Sequence, residues 1–164
     1  MDLTPYRRTE QMKIGAPPEV VYDLVADVSR MGEWSPVCTG GEYDADDPSW
    51  FTGHNAIGES TWSTRCRVIA ADRGHEFAFV NYGQAGDREL VRWGFRLEPS
   101  GDGGTELTQS WEVLPDYGSQ FGPEGRSAEE LTGLLDFMKA QAETGMRETL
   151  DHIRQAAEAG TPAI

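Results

Sequence analysis

Three histidines, His54, His75 and His152, are the side chains of this 164-residue chain best placed to move protons near neutral pH. They fall in three separate segments, and no H-x-x-x-H, H-E-x-x-H or mixed Cys/His set joins them, so the sequence offers no metal site and calls for no cofactor. No G-x-S-x-G, P-loop or G-x-G-x-x-G occurs either. His54, within Phe51-Thr-Gly-His-Asn55, is the candidate general acid or base, because its segment is strand-like and expected beside the apolar interior. An exposed or structural histidine is the competing reading. Cys38 and Cys66 stand 28 residues apart without a C-x-x-C. Free thiols are expected, and a disulfide stays open.

The fuller signal is apolar and aromatic. Trp62, Phe77, Phe79, Trp93, Phe95 and Trp111 take strand positions of one parity, and Trp34 sits in a helical turn. Leu134, Met138 and Met146 recur at helical spacing near the C-terminus. Two amides, Asn81 and Gln109, share the inward parity of their neighbours. Either they cap backbone groups inside a solid core, or they orient a molecule in a cavity walled by aromatics. Methionines suit an adaptable wall. Asn55 reads as a turn-shaping residue before Gly58. Arg65, Arg67, Arg92 and Arg96 have the opposite parity and are expected in solvent.

The elements that must position these residues are legible in the pattern. Ser127-Ala-Glu-Glu130 has the form of a capping box. Leu131, Leu134, Leu135, Met138, Ala142, Met146, Thr149, Ile153 and Ala157 then keep one face of a helix apolar up to Gly160 and Pro162. Gly145, in that face, permits close approach or a slight bend. Glu143–Arg147 and Arg147–Asp151 are i,i+4 pairs of opposite charge. Residues 6–14 alternate as a half-exposed strand, and a short helix is expected over 18–28 with a further turn before Ser35-Pro36. Strands are expected near 38–44, 50–55, 59–71, 75–82, 88–98 and 105–114, joined by turns too short for anything but antiparallel pairing. Pro115–Gly125 has no periodicity and reads as a loop. The resulting order predicts an α+β fold: a curved seven-stranded antiparallel sheet wrapped on a long C-terminal helix, with two short helices between strands 1 and 2.

Length supports a single domain over 1–164, with its core over about 5–159. With 28 acidic against 14 basic residues the net charge is −14, which argues against nucleic acid and anionic membrane surfaces as partners. No apolar run suits membrane insertion and the N-terminus lacks a signal pattern, so a cytoplasmic location is expected. A homodimer stays open.

Ala16-Pro-Pro-Glu-Val-Val-Tyr22 and Asp27-Val-Ser-Arg-Met-Gly-Glu-Trp-Ser-Pro36 resemble the opening of the polyketide cyclase/dehydrase and lipid-transport family, part of the START/birch-pollen-allergen-like (SRPBCC) superfamily. Phe51-Thr-Gly-His-Asn55, Trp62, Cys66-Arg-Val68, Ala71-Asp-Arg-Gly74, Phe77-Ala-Phe79 and Gly104-Thr-Glu-Leu-Thr-Gln-Ser110 are similar to its mid-chain pattern. The resemblance covers about 5–155 and implies the helix-grip fold, a deep apolar cavity between sheet and helix, and a small hydrophobic ligand, lipid- or polyketide-like. The superfamily includes carriers, cyclases and chaperone activators, so fold alone leaves three functions open. These are a binder of hydrophobic molecules, a cyclase or dehydratase, and a protein-interaction module; whether the protein is an enzyme is left open.

Overall fold

The computed structural model describes residues 1–122 and 124–160. Seven strands, Arg7–Ile14 (β1), Cys38–Tyr43 (β2), Trp50–Ile57 (β3), Ser60–Asp72 (β4), Glu76–Asn81 (β5), Val91–Pro99 (β6) and Thr105–Val113 (β7), form one sheet in the order β1-β7-β6-β5-β4-β3-β2. Every neighbouring pair is antiparallel. The alternation read from the sequence holds: along β7 the residues Thr105, Leu107, Gln109, Trp111 and Val113 are buried, and their neighbours are not. Register shifts at Cys38/Gly40 and Val68/Ala70 bend β2 and β4, and bulges of this kind increase the local twist that curls a sheet.

Pro18–Val25 (α1) opens on proline, which lacks only an N–H that the first helical turn does not need. It ends three residues earlier than the expected 28. The Asp27 carboxylate instead accepts from the Ser29 N–H and starts a separate 3-10 helix, Val28–Glu33. A Cβ on Gly32 in that turn would collide with the carbonyl of Thr39. The absence of a side chain is therefore what lets the turn lie against β2.

Ala128–Ala159 (α2) is 32 residues long, about 48 Å at 1.5 Å per residue. Its start is the expected capping box: Ser127 Oγ accepts from the Glu130 N–H, and the Glu130 carboxylate accepts from the Ser127 N–H. Gly160 is its C-cap; Pro162 lies outside the described residues. Two corrections concern charge and the preceding connection. Arg147 reaches across to Glu10 of β1 (3.2 Å), and Asp151 pairs with Arg154, so neither expected pair forms, while Arg154 and Glu158 make an i,i+4 pair at 3.7 Å. The connection after β7 is not an irregular loop throughout: Pro115–Phe121 is a 3-10 helix that buries Tyr117. Pro123, within the expected loop, lies outside the described residues. No helix among the described residues is long and apolar enough to cross a membrane.

The interior divides in two along α2. At one end Leu150, Ile153 and Ala157 join Ile14, Val21, Val25, Phe77, Leu97 and Leu107 in a solid cluster. At the other end Leu135, Ala142 and Met146 join Tyr6, Leu90, Val91, Trp111 and Tyr117. Strand β1 is tied to the helix at both ends. The Tyr6 hydroxyl donates to Asp136 Oδ1 (2.8 Å), and the Gly15 N–H donates to Glu158 Oε1 (2.9 Å).

Two substitutions test this arrangement by urea denaturation. Leu150→Ala, at a side chain 1% exposed, should lower stability by about 2–5 kcal/mol, the range for emptying a packed leucine site. Gly32→Ala should cost about 1–3 kcal/mol, because the backbone of β2 has to move away. A loss below 0.5 kcal/mol in either would contradict the packing described.

Candidate functional site

Between the two clusters the curved sheet and α2 separate, leaving a cavity of about 490 Å³. Strand alternation sends every second side chain into it. From β6 these are Val91, Trp93 and Phe95; from β7, Gln109 and Trp111; from β5, Phe79 and Asn81; from β4, Trp62, Thr64 and Cys66. Helix α2 roofs it with Leu134, Met138, Ala142, Met146 and Thr149, one face of the helix at spacings of three and four. Trp34, at the end of the first 3-10 helix and 2% exposed, closes one side. Next to it Pro36 meets the roof at the glycine: a Cβ on Gly145 would stand 3.1 Å from the proline Cγ. The inner end lies where Phe95 and Gln109 pair in register, since the next inward residues, Leu97 and Leu107, are fully buried and do not line the cavity. The mouth is marked by exposed Gln84, Gln120, Phe137 and Ile57.

Eleven of the twelve ligand-lining candidates therefore meet on one cavity: Trp34, Trp62, Phe79, Asn81, Trp93, Phe95, Gln109, Trp111, Leu134, Met138 and Met146. Phe77 does not. It lies in the solid cluster, edge-on to Tyr22 at 6.3 Å between ring centroids. Parity assigns a side chain to a face of the sheet but not to a position along the strand, and Phe77 is one inward step too far towards the closed end. His54 also falls outside the lining. It sits on β3 between Gly53 and Asn55, which do line the cavity, so alternation turns it to the opposite face. There its Nδ1 lies 2.8 Å from Ser63 Oγ and its Nε2 lies 2.8 Å from a Glu42 carboxylate oxygen, with the side chain 45% exposed. Asn55 is not the turn-maker expected, for Gly58 takes the left-handed position of the hairpin at φ 60°. Asn55 instead faces the cavity and donates to Gly53 O and Thr64 Oγ1, each at 3.4 Å.

Sequence reasoning missed several lining residues. Thr64 and Cys66 follow Trp62 at alternate positions of β4, so extending its parity would have found them. Phe51 and Ala142 gave the ordinary signal of core. Tyr117 and Gln120 sit on the 3-10 helix after β7, where no period exists to read.

The chemistry of the wall is distinctive for a chain of this charge. Among the described lining residues there is no Asp, Glu, His, Lys or Arg. Of the arginines expected in solvent, Arg67, Arg92 and Arg96 are exposed, Arg92 pairing with Glu112, while Arg65 is half-buried in a two-pronged pair with Asp44 (2.7 Å each) over the Trp50 ring. Three lining groups can titrate, and burial pushes each upward: the Cys38 thiol, the Cys66 thiol, raised to about 12, and the Tyr117 phenol. Both thiols are free. None of the three is ionised near neutral pH, so none serves there as a base or a thiolate nucleophile. The polar contribution is neutral. Asn81 Oδ1 accepts from the Gly83 N–H (2.6 Å), and Gln109, 5% exposed, has a side-chain oxygen with no hydrogen-bond partner among the described residues. No three His, Cys, Asp or Glu side chains among the described residues converge as metal ligands would.

Comparison with known proteins gives this geometry a context. The sequence profile of the family described as polyketide cyclase/dehydrase and lipid transport matches residues 7–158. A polyketide-cyclase-like protein of Corynebacterium glutamicum, Cgl2372, is 33% identical over 94% of this chain and 92% of its own, with a TM-score of 0.67. The Zhui aromatase/cyclase of Streptomyces sp. R1128 shares the fold at 15% identity, covering 95% of this chain and 98% of its own, with a TM-score of 0.66. Ms6760 of Mycobacterium smegmatis does so at 19% identity over 98% and 96%, with a TM-score of 0.65. Among curated proteins none matches the sequence. With the profile spanning nearly the whole chain, and with the sheet, helix and cavity arranged as described, this protein belongs to the polyketide cyclase/dehydrase and lipid-transport family.

Proposed function

We propose that the protein is a cytoplasmic binder of a small hydrophobic molecule, lipid- or polyketide-like, held between the sheet and α2. One observation carries this reading: a cavity of about 490 Å³ walled by tryptophan, phenylalanine and methionine, with few polar groups and no charged one among the described lining residues. That volume falls within the range of small-molecule sites, and apolar walls with a few fixed polar groups are their usual composition. Transfer of ligand surface out of water supplies the driving force, about 25 cal/mol per Å² of apolar area.

A cyclase reading draws support from the family and from the name of the Zhui relative. The composition of the wall limits how such catalysis would run. With no carboxylate or imidazole in the described lining, and with the thiols raised by burial, the cavity offers nothing to shuttle protons at pH 7. A reaction there would rest on holding a reactive chain folded, which is proximity alone. His54, hydrogen-bonded on the other face of the sheet, is set aside as its base. An interaction module would need no internal space, and the open cavity weighs against it.

Thermal melting in the presence of neutral apolar compounds (anthraquinones, steroids, long-chain alcohols) tests the binding reading. A ligand at one hundred times its Kd adds about 2.7 kcal/mol, which for a domain of this size raises Tm by on the order of 5–10 °C. Ala142→Phe, which fills the roof from a position 5% exposed, should keep the fold and abolish the shift. No shift with any class of compound would overturn the proposal.

A further inference from the structure

We infer that the molecule this cavity takes is uncharged and carries a hydrogen-bond donor, a hydroxyl or an N–H, received by the side-chain oxygen of Gln109 at the cavity's inner end. This deepens the binding reading above and rests on it.

Gln109 is 95% shielded from solvent, being 5% exposed, and its Oε1 has no partner among the described residues. A buried carbonyl has lost its water, and native structures leave very few such groups unmatched. The side chain is not in the solid part of the core, where a leucine would serve better. It lines the cavity, opposite Phe95 in register and one inward step from Trp111. The other amides set into the sheet wall are only half-buried, and each already makes a hydrogen bond within the protein. Asn81 uses its oxygen on the Gly83 N–H, and Asn55 donates to Gly53 and Thr64. Gln109 thus stands at the far end of the cavity from the exposed mouth residues Gln84, Gln120 and Phe137, and a turn of its amide about the Cγ–Cδ bond brings the shielded, unmatched oxygen to the cavity. From Val91 to Phe95 the lining extends on the order of 13 Å along β6, at about 3.3 Å per residue. A flat apolar body of several rings, with its donor leading, fits that depth.

The same walls determine charge. No lining residue among those described can neutralise a carboxylate, phosphate or ammonium group, and the chain's net charge of −14 further disfavours anions. An apolar cavity without Gln109 would rank a bare hydrocarbon above its hydroxylated analogue, because the hydroxyl gives up water on entering. An acceptor waiting at the inner end reverses that order.

Fluorescence titration with a matched series reads this reversal: pyrene, 1-hydroxypyrene, 1-methoxypyrene and 1-pyrenecarboxylate. The wild-type protein should bind 1-hydroxypyrene about tenfold tighter than pyrene or 1-methoxypyrene, and 1-pyrenecarboxylate weakest. In Gln109→Leu the three neutral probes should fall within about twofold of one another, with pyrene still bound. The unliganded variant should melt above wild type, having lost a buried unmatched oxygen. Gln109→Met provides a second apolar replacement of similar length if the leucine disturbs the strand. The hydroxy–methoxy comparison in wild type needs no variant at all. Pyrene binding without a hydroxyl preference, or a preference that survives both substitutions, overturns the role of Gln109 and leaves the binding reading standing. Tightest binding of the carboxylate overturns the requirement for neutrality. Failure of all four probes to bind, together with no melting shift from the neutral apolar compounds, removes the binding reading and this inference with it.

Discussion

The packing of Leu150, Ile153 and Ala157 against Ile14, Phe77, Leu97 and Leu107 is the contact on which the rest of the structure depends. It anchors one half of a long helix in a solid apolar cluster. A continuous α-helix carries its direction forward, so the other half is held over the sheet. The strands beneath curve, and two bulges increase that curvature. Side chains from the sheet and the roof meet again in the second cluster, where Leu135, Ala142 and Met146 join Val91, Trp111 and Val113. The space between is a consequence of geometry: an anchored straight element crossing a bent one. Long residues inside it, Trp93 and Met138 among them, line the gap without closing it.

Most of the fold was readable because its elements have clean periods. The two-residue period of β6 and β7 and the helical spacing from Leu131 to Ala157 each point to one buried face, and tertiary structure agrees with both. What parity does not hold is distance along the strand. Phe77 and Phe79 share a face, yet one packs in the solid cluster and the other faces open space. His54 matches the competing reading, an exposed and hydrogen-bonded histidine, because a segment can border a cavity while every second residue of it faces away. The 3-10 helix Pro115–Phe121 escaped notice because a single short helical stretch has no repeat, and its Pro115 and Gly118 spell a loop. Arg147 illustrates a further limit. Sequence shows the charges that neighbour it on its own helix, but not Glu10, which the fold brings from the far end of the chain.

Folding stability and a vacant interior pull against each other. A chain of 164 residues can fill its core, and each methylene it leaves unpacked forgoes dispersion contacts. This one keeps an unmatched amide and a hollow in the same place. Departures from good packing gather where a molecule is to be accommodated, because a site ready for a guest is by its nature incomplete without one. The capping box of α2, the ties from Tyr6 and Gly15 to the helix and the solid cluster together hold the shell around that incompleteness.

The segregation of charge has a last consequence. All 28 carboxylates and 14 cations of the chain lie outside the described lining, so acidity and ionic strength have little purchase on whatever the chamber holds. Under the binding function proposed above, control over loading and discharge would pass from electrostatics to mechanics. Gly145 in the roof rests against Pro36, and the roof continues past it to Met146 and Thr149 before the anchored part of α2 begins at Leu150. One helix thus serves as the keystone of the filled half of the shell and as the cover of its hollow half.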